Sequence, residues 1–229
     1  LNRIYNLKIF DPACGSGNFL IIAYKQLRLL EMDIIKKIEE VTGQKSLIYS
    51  QLQLQQFYGI EIDDFACEIA ILSLWLAEHQ MNKKFKELFG DCKTSLPLSK
   101  SGNIVCGNAT RLDWEKVCPK GVKGLTHKEM ERYKLFELEK FKQLEIQGTD
   151  NEIYILGNPP YLGARLQSEE QKHDMFLVFN NLIDGYNNLD YISCWFKKAT
   201  DYIHNTNSQF AFVTTNSICQ GAQVSLLWK

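Results

Sequence analysis

The chain has 229 residues, of which 45% are hydrophobic and 23% charged. That length allows one large domain or two small ones and burial of about 70% of the unfolded surface, so no staple is required, and the composition excludes disorder and collagen-like repetition. A formal net charge of -1 excludes a globally basic nucleic-acid surface and confines any DNA contact to local groups.

The first strand is predicted at Leu7 to Asp11, and the turn DPACGSGNFL, residues 11 to 20, follows it directly. Gly15 and Gly17 permit backbone conformations and close approach that side chains forbid, and the next helix turns its N-terminal amides toward whatever lies there. A nucleotide-like group fits such a turn, although GxG alone is equally a tight strand-to-helix connection. Leu20 stands where the dinucleotide fingerprint has its third glycine, which disfavours NAD. Asp11 is an acceptor suited to a ligand ammonium group. The helix is expected from Asn18 to Val41, with Phe19, Ile22, Ala23, Leu27, Leu30, Ile34, Ile38 and Val41 close to a 3.6-residue period and buried on one face.

Phe57 to Glu61 is the second predicted strand, ending in YGIEID, residues 58 to 63, where Glu61 can accept both hydroxyls of a ribose. Glu61 lies 44 residues beyond Gly17, against about 20 in compact dinucleotide folds. The long first helix and the Gln-rich stretch behind it account for the excess. Asp63 suits the N-cap of the next helix, whose FACEIAILSLWLAE is apolar nearly all round, as when a helix on a sheet has another element over its back.

Asn103 to Cys106, the third strand, ends in VCGNAT. Asn108 offers a donor and an acceptor beside the amide of Ala109, a pair able to read an adenine edge, while Asn after Gly is also an ordinary turn. Residues 113 to 150 are highly charged and read as a partly helical excursion between strands three and four, either a solvated insertion or a lid or DNA-facing element.

The fourth strand, Ile153 to Leu156, is cut short by LGNPPYLGA, residues 156 to 164. Two prolines cannot donate ladder hydrogen bonds and hold φ near -65°, so the chain leaves the sheet in a rigid extended form. Asn158 brings a side-chain oxygen beside the carbonyl of Pro159, Pro160 stiffens the exit, and Tyr161 presents a ring for stacking: a cradle for a planar amine. Ser168 and Gln171 form a capping box before a short helix, and Asn188 is expected to cap a helix with Ile192, Trp195, Phe196, Ala199 and Ile203 on one stripe. A fifth strand is predicted at Phe210 to Thr214.

Strands alternating with helices predict βαβ units and an open, Rossmann-like, doubly wound α/β fold with a mainly parallel sheet. Ligands in such folds sit beyond the carboxyl ends of the strands, near the reversal of strand order, so the strand-end motifs mark the candidate site. Seven scattered cysteines without a CxxC spacing argue against a disulfide framework and a zinc site and fit a reduced, cytoplasmic setting. His79, His127, His173 and His204 form no ligand pair at helical spacing. Cys14 reads as a packing residue. No apolar run approaches the roughly 18 residues of a membrane span. Leu1 is not a start methionine, which fits a piece of a longer polypeptide.

Together, DPACGSGNFL, GIEID, GNA and NPPY at successive strand ends resemble the class I S-adenosylmethionine-dependent methyltransferases, and more narrowly the adenine-specific DNA methyltransferases of γ-type motif order. The DPAC start, the LGNPPYLGA context and the later AFVTTNSICQG look most like the methyltransferase region of type IIL/IIG restriction-modification enzymes. The resemblance implies that the turn of Asp11, Pro12, Ala13, Cys14, Gly15, Gly17, Asn18 and Phe19 holds the methionine end of S-adenosylmethionine. Glu61 would then hold the ribose, Ile62 one face of the adenine, and Asn108 with Ala109 its edge. It also implies that Asn158 and the Pro159 carbonyl accept from the 6-amino group of a flipped target adenine, with Tyr161 as its platform, yielding S-adenosylhomocysteine without a metal. Residues 1 to 229 would be a catalytic core lacking the last strands of the fold, joined to double-stranded DNA by a recognition domain beyond the chain and open to fusion with a nuclease. Alternatives within reach of NPPY are methylation of a release-factor glutamine or of guanine in ribosomal RNA, or an inactive scaffold.

Overall fold

Five parallel strands form one sheet in the order β3-β2-β1-β4-β5: β1 Lys8–Asp11, β2 Phe57–Glu61, β3 Asn103–Cys106, β4 Ile153–Gly157 and β5 Gln209–Phe212. These come from a computed structural model that describes residues 1–44, 50–90, 102–120, 152–180 and 182–228. The helices are α1 Asn2–Tyr5, α2 Asn18–Thr42, α3 Asp64–Phe89, α4 Trp114–Val117, α5 Glu169–Phe179, α6 Ser193–Ile203 and α7 Ala222–Leu227. The expected Rossmann-like doubly wound fold is the one observed.

Alternation along each strand divides the core into two layers. Ile9 and Phe57 point to the layer of α2 and α3, where they meet Leu20, Tyr24, Leu74 and Phe85. Phe10, Ile60, Ile153 and Ile155 point to the opposite layer, against Trp114, Trp195, Ala199 and Tyr202. Helices over both faces are what keeps an all-parallel sheet dry. The chain runs outward from β1 through β2 to β3, then returns to place β4 on the other side of β1. The reversal leaves a crevice beyond the ends of β1 and β4.

Several expectations need correction. The buried side of α2 is Leu20, Tyr24, Arg28, Glu31, Met32 and Ile35, whereas Phe19, Ile22, Leu30 and Val41 are exposed. Arg28 and Glu31 form a fully buried ion pair, with Nε 3.2 Å from Oε2, and Arg28 also donates to Tyr24 and Asn82. The buried stripe thus contains charges that offset each other, which an apolar count passes over. α3 buries one face through Cys67, Ala70, Leu74, Ala77, Met81 and Phe85 and leaves Phe65, Leu72 and Leu76 exposed; among the described residues nothing covers that outer face.

Asn188 does not cap α6. It ends the 3-10 turn Tyr186–Asn188, and its Nδ2 donates to the Gly185 carbonyl, so α6 begins after Ile192 without a side-chain cap. The fifth strand starts one residue early and stops at Phe212. The start of the supposed excursion belongs to the core: Asp113 caps α4, and Trp114 and Cys118 are buried. The stretch 121–151 lies outside the described residues. Asp63 caps α3 by accepting from the Ala66 amide, and the Ser168–Gln171 box caps α5, both as expected.

Candidate active site

The turn after β1 is built by its own backbone. Gly17 sits at φ +85°, and a Cβ there would lie 3.2 Å from Ala70 Cβ, so only glycine allows the turn and lets α3 approach it. The Cys14 amide donates to the Ile60 carbonyl and the Gly17 amide to the Cys14 carbonyl. Asp11 lies beneath, 1% exposed, with Oδ1 accepting from the Ala13 amide at 3.0 Å and Oδ2 buried without a partner. Burial, with the Glu61 charge adding to it and the Ala13 amide opposing it, pushes the Asp11 carboxyl up to about 7. Burial likewise raises the Cys14 thiol, in keeping with a packing role rather than a nucleophile.

Glu61 joins two strand ends. Its Oε2 accepts from the Gly15 amide at 2.8 Å, and its Oε1 accepts from the amides of Ile62 and Asp63 at 2.8 and 3.1 Å. The carboxylate therefore arrives at the cleft already oriented. Ile62 is 69% exposed beside it.

At the end of β3, Asn108 Oδ1 accepts from the Thr110 amide and hydroxyl at 2.9 and 2.6 Å, while Nδ2 donates to Asp174 Oδ2 at 3.0 Å. Asp174, on α5, also accepts from Arg111 Nε at 2.6 Å and the Tyr191 hydroxyl at 2.7 Å. Burial would raise this carboxyl, but the three donors outweigh it and hold its pKa below the usual value.

The Asn158-Pro159-Pro160-Tyr161 exit is held from behind. The Leu162 amide donates to Asp190 Oδ1 at 2.8 Å, and the Leu162 carbonyl accepts from the Tyr191 amide and from Gln167 Nε2. Asn158, Pro160 and Tyr161 are exposed and Pro159 is buried.

These groups surround a cavity of about 650 Å³. The first turn contributes Pro12, Ala13 and Gly15, the second strand end Glu61 and Ile62, the third Asn108 and Ala109, and the fourth Asn158 and Pro160. Four strand ends thus meet at one space, as the sequence placed them. Asp11, Cys14, Gly17, Asn18, Phe19, Pro159 and Tyr161 do not line it; Asp11 supports its floor, and Tyr161, 47% exposed, stands outside. The remaining wall was not foreseen: Ser168, Glu170, Gln171 and Asp174 of the α5 region, with Tyr191 and Trp195. Trp195 Nε1 donates to the Pro12 carbonyl at 3.1 Å, tying α6 to the glycine turn. Its place on the buried stripe of α6 was legible, but nothing in the polar EEQKHDMFLVF of α5 distinguishes the one acid that is buried.

Among the described residues no helix is long and apolar enough to cross a membrane, and no group of three or more His, Cys, Asp or Glu could hold a metal ion. The family described as "MmeI, DNA-methyltransferase domain" matches residues 1–229. "DNA methyltransferase A" of Bacillus subtilis is 46% identical over 229 residues, covering 100% of this chain and 23% of that protein. The solved structure of the type IIL restriction-modification enzyme MmeI in complex with DNA is 38% identical, covers 99% of this chain and 27% of that one, and superposes with a TM-score of 0.78. "Adenine-specific methyltransferase BrxX" of Escherichia coli is 30% identical over 80 residues, 34% of this chain and 6% of that protein. The chain spans about a quarter of the length of the two relatives that it matches throughout. With its whole length matched and its strand-end motifs gathered around one cavity, the chain belongs to the MmeI DNA-methyltransferase domain family.

Proposed function

We propose that residues 1–229 are the catalytic core of a site-specific DNA methyltransferase of a restriction-modification system, acting on the 6-amino group of a flipped adenine. The observation that carries this reading is that Asn158 and the Pro12–Gly15 turn line the same cavity at the β1–β4 reversal. Family membership supports DNA rather than release factor or ribosomal RNA as the substrate, and likeness to a protein named for adenine specificity supports the base.

The residues present fit S-adenosylmethionine. The cavity lies within the roughly 300–1,000 Å³ common for small-molecule sites. Glu61 is a preoriented acid for ribose hydroxyls, Ile62 an apolar wall for adenine, and Asn108 and Ala109 its edge. The glycine turn with Asp11, Pro12, Ala13, Cys14, Asn18 and Phe19 frames the methionine end. When bound, the cofactor supplies an electrophilic methyl group on a sulfonium.

The protein's part is positioning and electrostatics. The Asn158 side-chain oxygen and the Pro159 carbonyl accept the amine hydrogens, which turns the nitrogen lone pair out of conjugation and toward the cavity. Pro159 and Pro160 hold those acceptors still, because the fixed φ leaves the loop little freedom. Tyr161, exposed at the mouth, offers the face on which an extruded base stacks. Duplex DNA would be gripped by a recognition domain outside this chain, a fused nuclease is compatible with the type IIL likeness, and the free cysteines suit a cytoplasmic setting.

The test is methyl transfer from radiolabelled S-adenosylmethionine to DNA by the full-length protein. Asn158→Ala is expected to lose at least about 100-fold in transfer while cofactor affinity is kept, since only the acceptor site is changed. Undiminished transfer by this variant ends the reading.

A further inference from the structure

An adenine edge offers an amino donor beside a ring-nitrogen acceptor, so a protein that reads it needs an acceptor next to a donor. Asn108 cannot supply both. Both lone pairs of its Oδ1 are taken by the Thr110 amide and hydroxyl, which leaves it a single unspent N–H on Nδ2. The neighbouring acceptor is Asp174, whose Oδ2 is 3.0 Å from that Nδ2. A carboxylate has about four acceptor positions, and three of Asp174's are filled by Asn108, Arg111 and Tyr191. The carboxylate belongs to the cavity wall while being 1% exposed, and among the described residues no fourth donor reaches it, which leaves that position to a ligand in the cavity.

We propose that Asp174, on the helix that follows the NPPY exit, is the residue that selects adenine in the cofactor, accepting from its 6-amino group while the Nδ2 of Asn108 donates to the adjacent ring nitrogen. The inference rests on the reading of this cavity as the S-adenosylmethionine site. It moves the acceptor from the strand-end asparagine to an acid from the opposite wall. Arg111 and Tyr191 then act as positioning residues: the guanidinium holds Oδ1, and the hydroxyl with Asn108 fills Oδ2, so the remaining acceptor position is on Oδ1. The arrangement rejects a hypoxanthine base, whose carbonyl would meet Asp174 and whose ring N–H would meet the Asn108 donor.

The experiment compares the affinity of the full-length protein for S-adenosylhomocysteine and S-inosylhomocysteine by calorimetry. Wild type is expected to prefer the adenosyl form by about 100-fold or more, the scale of rejection when buried polar groups are left mispaired. Asp174→Asn, which can turn its NH2 toward the inosyl carbonyl, is expected to shrink that preference by at least about tenfold. Arg111→Gln, which loosens the carboxylate but keeps the acceptor, should shrink the preference as well, by less than the Asp174 variants do. Asp174→Ser is read in the same way if the amide variant does not fold. Equal wild-type affinity for the two forms, or an Asp174 variant that weakens both by one factor, overturns the proposal. Binding of neither form by wild type instead removes the cofactor-site reading on which it stands.

Discussion

Asp11 occupies the space where a side chain on Gly157 would begin: a Cβ at Gly157 would collide with Asp11 Oδ1 and lie 3.1 Å from its Cγ. The last residue of β4 is therefore bare because the first strand ends in a carboxylate that has nowhere else to go. Gly157→Ala is expected to push the carboxylate off the Ala13 amide, costing about 1–3 kcal/mol of stability as other overpacked sites do. Urea unfolding should show the loss, and calorimetry a weaker affinity for S-adenosylhomocysteine. A fully stable variant would mean that the contact is slack.

The Asp11 carboxyl itself makes stability depend on pH. Its folded pKa of about 7 stands above the ordinary carboxyl value of 3.8, so the native state holds the proton more tightly than the unfolded chain. From about pH 4 to about pH 7 the unfolded chain releases that proton first, and stability falls as pH rises through this window, then levels off. Asp11→Asn keeps the acceptor for Ala13 and removes the titration. Unfolding midpoints taken from pH 4 to 8.5 should fall less steeply for the variant than for wild type, and parallel curves would refute the assignment.

Trp195 acts on the glycine turn from the opposite layer. Trp195→Phe keeps most of the packing and deletes the donor to the Pro12 carbonyl. Stability should drop by about 1 kcal/mol, the net value of one such hydrogen bond, with cofactor affinity falling several-fold. A melt and a binding isotherm on the same preparation separate the two effects.

Asp190 holds the NPPY exit through the amides of Leu162 and Ile192 while its own amide donates to Gln223 Oε1. Asp190→Ala strands one buried and one part-buried donor, an expected loss of about 1–3 kcal/mol. Because the released loop carries Tyr161 and not the cofactor turn, kcat for DNA methylation should fall more than cofactor affinity. Asp190→Asn, which retains an acceptor, should recover most of both; failure to recover would point to the charge rather than the hydrogen bond.

Legibility differed from element to element for physical reasons. β2 and β3 fall where the sequence predicts them because each is a short apolar run closed by an acidic or glycine-rich turn. The buried side of α2 was misplaced because Arg28 and Glu31 are buried as a pair, and pairing is a property of two side chains in space. The cap expected of Asn188 failed because its amide donates to Gly185 within a local turn, which competes with capping for such residues.

By itself the amino-acid order determined the doubly wound class, the glycine turn, the acid at the second strand end and the rigid NPPY exit. Each of these is written in neighbouring residues whose backbone demands are local. Only the tertiary structure decided which side chains complete the cavity. Asp174 meets Asn108 across 66 positions and Trp195 meets Pro12 across 183, and such contacts arise from the reversal of strand order at β1 and β4, which no local pattern encodes.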